Sequence, residues 1–339
     1  MGEFQLIEKY FNRNVSVHNC SNIELGIGDD CALLNVAPDS TLAVSTDTFL
    51  EGTHFFKGTS PFAVGYKSLA VNISDLAAMG AEPIGFTLAL TLPDNNESYV
   101  AEFADGLFDI ADRFKIPLIG GDTTKGPLSV TITVFGSVRR GQAVKRSSAR
   151  IGDAVCVSGH LGGAAYGVAL RYGKETSVCH DTEEKAFRLL DYPNPRMDLV
   201  PFFRRYHVHS ALDISDGFMG DLGHILDCSG VSCKIELCDF PVSDVLMHLS
   251  RQKQLDYALN GGDDYELCFT LAEEDYNEWS DAAGRGLAPI IYRVGSINSN
   301  SSSETDRLKT GGIIFTEHGN RINPQTLRHS FSSFIPPIA

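Results

Sequence analysis

The sequence has no run of about 18 or more apolar residues, the length a helix needs to cross a bilayer; its longest uncharged apolar stretch, Pro83 to Pro93, is too short. A membrane protein is therefore not expected. Basic residues are the scarcer charge: 28 Lys+Arg against 43 Asp+Glu leave a formal net charge of -15, which repels a phosphate backbone and argues against a nucleic-acid binder. No Cys-x-x-Cys pair occurs among the eight cysteines. Cys228, Cys233 and Cys238 recur at five-residue steps without histidines of ligand spacing, so reduced thiols in a cytoplasmic protein are expected instead of a zinc site. Glu3 and Glu8 stand where an export signal needs a basic start and an apolar middle. Familiar nucleotide motifs are missing too. There is no GxxxxGK[ST], HRD or DFG, and Gly26-Ile27-Gly28-Asp29-Asp30-Cys31 lacks the third glycine of a dinucleotide fingerprint. Asp213 to Gly217 lacks the alternating acids of an EF-hand.

What is present is an ordinary globular composition, with 43% hydrophobic and 21% charged residues in 339 positions. At about 100–200 residues per domain, that length suggests two domains or one large one. Ser60-Pro61 is a helix start, and the apolar spacing carries the helix to Met79, before Gly80. Thr87–Leu92 and Ser129–Val138 read as strands, the second with Val130, Ile132, Val134 and Val138 on one face. Between them, Val100, Phe103, Leu107, Ile110, Ala111 and Phe114 have helical spacing. Arg139 to Arg150 carries five basic residues and no acid, and marks a boundary between residues 1–147 and 148–339. In the second part, Ala154–Ser158, Ala211–Ile214, Tyr265–Thr270 and Pro289–Ile297 read as strands and Phe218–Leu226 as a helix. Asn298 to Asp306 is a polar loop, and Ile335 to Ala339 a proline-containing tail. Both halves mix helix and strand, and no solenoid repeat is found.

The placement of the aspartates is more informative than their number. Gly28-Asp29-Asp30, Ser45-Thr46-Asp47, Ser74-Asp75, Gly120-Gly121-Asp122, Asp213-Ile214-Ser215-Asp216 and Gly261-Gly262-Asp263-Asp264 mostly end apolar segments beside Gly, Ser or Thr. Any one of these ordinarily caps a turn or a helix. If several met in a cleft, each close pair would cost ~4 kcal/mol at 4 Å and an effective dielectric near 20. Bound cations offset such repulsion, and carboxylate and hydroxyl oxygens suit Mg²⁺ or Mn²⁺ over zinc. Magnesium usually arrives with phosphate. The basic segment is either a solvated connection or the complement to that charge, with Arg146 gripping a phosphoryl oxygen through its planar fork. Gly120-Gly121-Asp122-Thr123-Thr124 offers backbone amides to a phosphate. Gly159-His160-Leu161-Gly162-Gly163-Ala164 is similar to the glycine-rich loop of small-molecule kinases, and is equally a tight strand-to-helix turn.

Taken in order, these segments resemble the thiamine-monophosphate kinase family over nearly the whole chain. The residues that carry the likeness are Gly26–Ala32, Ser45-Thr46-Asp47, His54, Asn72–Ala81, Gly120–Thr124, Asp213–Gly217 and Gly261–Leu267. The resemblance implies an α+β, two-domain fold of the aminoimidazole-ribonucleotide-synthetase type, whose N-terminal strands pair across a homodimer. It implies the reaction of ATP with thiamine monophosphate to give ADP and thiamine diphosphate, the final step of thiamine diphosphate biosynthesis, by direct transfer with several Mg²⁺ ions. Asp30, Ser45, Thr46, Asp47, Asp75, Asp122, Asp213 and Asp216 correspond to metal ligands. Gly121, Asp122, Arg146 and Ser215 correspond to ATP contacts, with Arg146 and Asp122 acting on the transfer itself. His54 and Asp263 correspond to substrate contacts. Two departures stand out: the family has Glu where this chain has Asp263, and a Trp or Tyr near the C-terminus where this chain has Phe331, with Phe334 beside it. Other members of the superfamily, a metal-dependent phosphohydrolase and a magnesium-nucleotide sensor share much of this chemistry.

Overall fold

The computed structural model describes residues 3–12, 22–27, 30–94, 96–299 and 312–322. Cys20, Gly28, Asp29, Phe331, Phe334, most of the polar loop and the C-terminal tail lie outside the described residues. Two compact units form, one from Met1–Ala77 and Ala81–Ala143, the other from Ala78–Gly80 and Val144–Ala339.

The first unit contains α1 (Glu3–Leu6), β1 (Ile23–Leu25), β2 (Leu33–Leu34), β3 (Ser40–Leu50), α2 (Pro61–Ala78), β4 (Glu82–Leu92), α3 (Glu97–Phe114), β5 (Leu118–Lys125) and β6 (Ser129–Arg139). Its main sheet runs β3-β6-β4-β5. β3 lies antiparallel to β6 from Ser40↔Arg139 to Leu50↔Ser129, and β4 lies parallel to β5. Val130, Ile132 and Val134 are fully buried, as their alternation requires, together with Phe86 and Leu90 from β4. Leu76 of α2 packs against Gly136 of β6 on that face. The opposite face is open along β3, where Val44 is 54% and Leu42 39% exposed, while Phe135 of β6 packs against Ile23, Ile84 and Ile119. Hydroxyl pairs Thr46···Thr133 and Thr48···Thr131, both 2.9 Å, bridge its strands. At the start of α3 the Asn96 side chain accepts from the Tyr99 N–H, and at its end Lys115 turns left-handed with φ 53.

The second unit contains β7 (Ala154–Val157), α4 (Gly163–Arg171), α5 (His180–Asp191), α6 (Val200–Arg205), β8 (Ser210–Asp213), α7 (Phe218–Ser229), β9 (Ser232–Glu236), α8 (Arg251–Asn260), β10 (Leu267–Leu271), α9 (Glu273–Gly284), β11 (Tyr292–Asn298), β12 (Ile313–Glu317) and β13 (Asn320–Arg321). Seven strands order as β13-β12-β9-β11-β7-β10-β8. The strand expected from Tyr265 starts at Leu267, because Asp263 and Tyr265 take positive φ (67 and 50) and break the extended run. The helix expected to end at Leu226 continues to Ser229, where Gly230 turns left-handed. Cys228, Cys233 and Cys238 are free thiols. No helix among the described residues is long and apolar enough to cross a membrane.

Trp279, the one tryptophan of the chain, is fully buried, stacks on Tyr206 and Phe269 at 5.1 and 5.7 Å, and donates to the Pro289 carbonyl at 3.0 Å. Trp279→Ala should lose about 3–5 kcal/mol of stability in urea unfolding. A loss under about 1 kcal/mol would show that its neighbours collapse into the space.

Candidate functional site

In the first unit, Ser45 and Asp47 share a face of β3, opposite the buried Val134 and Ile132, while Thr46 between them points to the open face and bonds Thr133. The Ser45 hydroxyl donates to Asp75 Oδ2 of α2 at 2.5 Å, tying strand to helix. Partial burial pushes the Asp47 carboxyl up, and the nearby His54 opposes that shift. His54 sits in a turn at the end of β3, where its Nδ1 accepts from the Leu50 N–H at 3.0 Å and its ring stacks on Phe49 at 5.3 Å. That bond leaves the proton of the neutral ring on Nε2. Asp30 is exposed. Every candidate ligand in this group offers oxygen, a donor set that fits a hard divalent cation.

Gly121 and Asp122 lie on β5, at the far edge of the same sheet. Gly121 has φ +151, and a Cβ there would stand 1.9 Å from the Leu88 carbonyl oxygen, so only glycine fits. The register runs level from Asp47 through Ile132 and Leu88 to Gly121. Three strand spacings therefore separate Asp47 from β5, about 14 Å at ~4.8 Å each. Asp122 is aligned with Ala89 on the open face. The first unit thus joins Ser45 to Asp75 and sets Asp47 near His54, while Asp122 stands apart. Among the described residues, no three His, Cys, Asp or Glu side chains converge on one metal-sized point.

In the second unit, Asp213 is buried at the end of β8, and the loop after it is held from below. One oxygen of Asp221, Oδ2, accepts the backbone N–H groups of Ser215, Asp216 and Gly217, each at 3.0 Å. Burial, with the charge of Asp216 added, pushes the Asp221 carboxyl up to about 6 against those three donors. This loop zips to residues 261–266: Asp263 N–H donates to the Ser215 carbonyl, and Tyr265 N–H to that of Ile214, both at 2.9 Å. Gly262 permits the approach, since a Cβ there would stand 2.2 Å from the Ser215 carbonyl oxygen. Ser215, Asp216 and Asp263 are thereby brought together. Arg146 is exposed, its carbonyl accepting from the Ser229 hydroxyl at 2.8 Å.

Asp221 is a supporting residue that the sequence reading did not single out, while Asp264 and Glu266, within its Gly261–Leu267 motif, were given no role. Asp264 accepts from Gly162 N–H at 2.6 Å and Ala164 N–H at 3.3 Å, so its own carboxyl occupies the start of α4. The glycine-rich stretch Gly159–Ala164 is accordingly a strand-to-helix turn with amides already bonded. Glu266 accepts from Ser158 Oγ and from Arg196 Nη1, the latter at 2.8 Å. Asp221 could have been found from its position one turn inside the helix that follows Asp216, where an acid can reach back to free N–H groups.

The family model for AIR synthase related protein, N-terminal domain, matches residues 28–138. The thiamine-monophosphate kinase of Escherichia coli (strain K12) is 47% identical over 274 residues, 80% of this chain and 83% of that protein. The crystal structure of thiamine-monophosphate kinase from Stenotrophomonas maltophilia K279a superposes with a TM-score of 0.81 at 39% identity, covering 95% of this chain and 98% of that one. AaThiL complexed with AMPPCP and TMP superposes with a TM-score of 0.71 at 28% identity, covering 85% and 87%.

Burial holds the Asp264 carboxyl up to about 8, against the two N–H bonds that pull it down. For an acid raised in the folded state, the stabilisation is fully present below its unfolded value, near 3.8, and is lost as pH rises through 8. Asp264→Asn keeps a neutral acceptor, so its melting temperature should gain on the wild type between pH 5 and pH 9. Parallel melting curves across that range would show that the folded carboxyl is not raised.

Proposed function

The chain belongs to the thiamine-monophosphate kinase family, and we propose for it the family's reaction: ATP and thiamine monophosphate give ADP and thiamine diphosphate. It is an ATP-dependent phosphotransferase whose acceptor is itself a phosphate. An acceptor oxygen of this kind is already anionic near pH 7, so no strong base is needed; the obstacle is repulsion between two anions. The reading rests on the oxygen-only residues Ser45, Asp47 and Asp75, half-buried carboxylates and a hydroxyl whose donor chemistry suits a hard divalent cation. Asp30, Thr46, Asp122, Asp213 and Asp216 complete the proposed magnesium ligands. When bound, several magnesium ions would neutralise the phosphates and template their approach.

The protein's own groups then have separate tasks. Gly121, Asp122 and Ser215 hold ATP, and Arg146, exposed on a pinned backbone, adds a bidentate positive charge to the phosphoryl group in transfer. His54 and Asp263 contact the acceptor, and Phe331, which lies outside the described residues, is proposed as a further acceptor contact on the family resemblance alone. The attacking oxygen forms the new P–O bond as the bond to the ADP oxygen breaks, in line and without a phosphoenzyme. In this reading residues 1–147 form the ATP and magnesium domain.

The distance across the main sheet supports a homodimer. Asp47 and Asp122 occupy opposite edges, and the open face presents Leu42 and Val44 to solvent. Pairing the β3 edge of one copy with the β5 edge of another would bring Thr46 and Asp47 beside the partner's equivalent of Asp122, and cover that face.

A screen with ATP and Mg²⁺ tests the reaction: ADP and thiamine diphosphate should appear in equal amounts with thiamine monophosphate, and neither thiamine nor aminoimidazole precursors should serve. ADP formed without phosphorylated product would replace the kinase by a hydrolase. Asp47→Asn and Asp122→Asn should each be nearly inactive, yet mixing them should restore about a quarter of wild-type activity, because half the dimers carry one intact site. Mixtures as inactive as their components would mean that each copy builds its site alone. Arg146→Lys should lower kcat at least about 10-fold, and wild-type turnover would remove the fork from the mechanism.

A further inference from the structure

Arg196 has no role so far, yet its guanidinium is bonded to the acidic loop of the second unit. The residue follows Pro193 and Pro195, both buried, whose rings restrict the backbone that carries it. Its side chain is only 12% exposed. On one side Nε and Nη2 donate to Asp198 Oδ1 and Oδ2 at 3.0 and 2.9 Å, a two-pronged grip. On the other, Nη1 donates to Glu266 Oε2 at 2.8 Å and to the Ser158 carbonyl.

Glu266 is where three segments meet. Its carboxylate takes the Ser158 hydroxyl, whose oxygen in turn accepts the Leu267 N–H at 2.7 Å. Its carbonyl accepts the Ile214 N–H at 2.7 Å. A Cβ at Gly159 would stand 2.3 Å from Glu266 Oε1, so the glycine leaves the carboxylate its room. Asp263, on left-handed backbone with φ 67, stands three residues earlier in the same loop. The charge of Glu266 reaches Asp264 as well, adding to the burial that raises that carboxyl. Stripped of its cation, Glu266 would repel Asp264 where little water screens the pair. The loop at 213–217 has an anchor of its own in Asp221, which takes the N–H groups of Ser215, Asp216 and Gly217.

We propose that Arg196 is a positioning residue for the acceptor: by holding Glu266 it fixes the loop on which Asp263 stands, and so sets the affinity for the acceptor without touching it. The assignment rests on thiamine monophosphate being that acceptor. Two anchors then divide the work, Arg196 serving the loop at 261–266 and Asp221 the loop at 213–217. Lysine in place of Arg196 would keep the charge but lose the fork that spans Asp198 and Glu266.

In steady-state kinetics, Arg196→Lys and Glu266→Gln should each raise KM for thiamine monophosphate about 10-fold, leaving KM for ATP and kcat within about twofold. Asp221→Asn, which loosens the other loop, should raise KM for ATP more than KM for thiamine monophosphate. A general softening of the fold would raise both KM values together in all three variants, and that result overturns the proposal. So does a KM for thiamine monophosphate within about twofold of wild type in either Arg196→Lys or Glu266→Gln. Should Arg196→Lys fail to fold, Glu266→Gln, which keeps an acceptor in the same volume, decides alone. A wild-type enzyme that does not phosphorylate thiamine monophosphate overturns the family reading and this proposal together, whereas variants that match an active wild type overturn only the role of Arg196.

Discussion

Two phosphate compounds, with about six negative charges between them, must meet on a protein whose own formal net charge is -15. That repulsion is the constraint to which the rest answers. The acids stand on separate supports, with no three His, Cys, Asp or Glu side chains converging among the described residues, and an assembled cluster of ionised acids would strain the free protein. Ser45 and Asp75 are in direct contact, and there a hydroxyl, not a second carboxylate, faces the charge.

The second unit solves a related problem with backbone. Its loops at 213–217 and 261–266 are irregular, so their shape cannot come from a ladder of strand pairs. Asp221 and Asp264 supply it from within, each taking several N–H groups on one buried carboxyl. Buried acids thus act as internal scaffolding, while exposed ones such as Asp216 remain available for chemistry.

Much of this was legible in the sequence, and the rest was hidden for physical reasons. β6 announced itself through Val130, Ile132 and Val134, since a half-buried strand must alternate. β3 did not, because its inward face spends two positions on Ser45 and Asp47 and its outward face carries Val44 and Thr46. The segments around Asp47 and Asp122 could be recognised as motifs, yet their separation across the sheet is a property of strand order, which local spacing does not encode. Tyr265 reads as a strand residue by composition; its positive φ comes from the tertiary clasp with Ile214. Asp221 escaped notice because its partners are main-chain N–H groups, so that its position one turn inside the helix after Asp216 is the signal it leaves in the sequence.

The left-handed backbone at Asp263 carries a consequence for how this loop is ordered. Aspartate tolerates that conformation better than glutamate does, because its short side chain can bond locally to the main chain. Aspartate at this position therefore gives up about one methylene of reach relative to glutamate in exchange for a backbone shape it holds at less cost. The entropy of ordering the loop is thereby met when the chain folds.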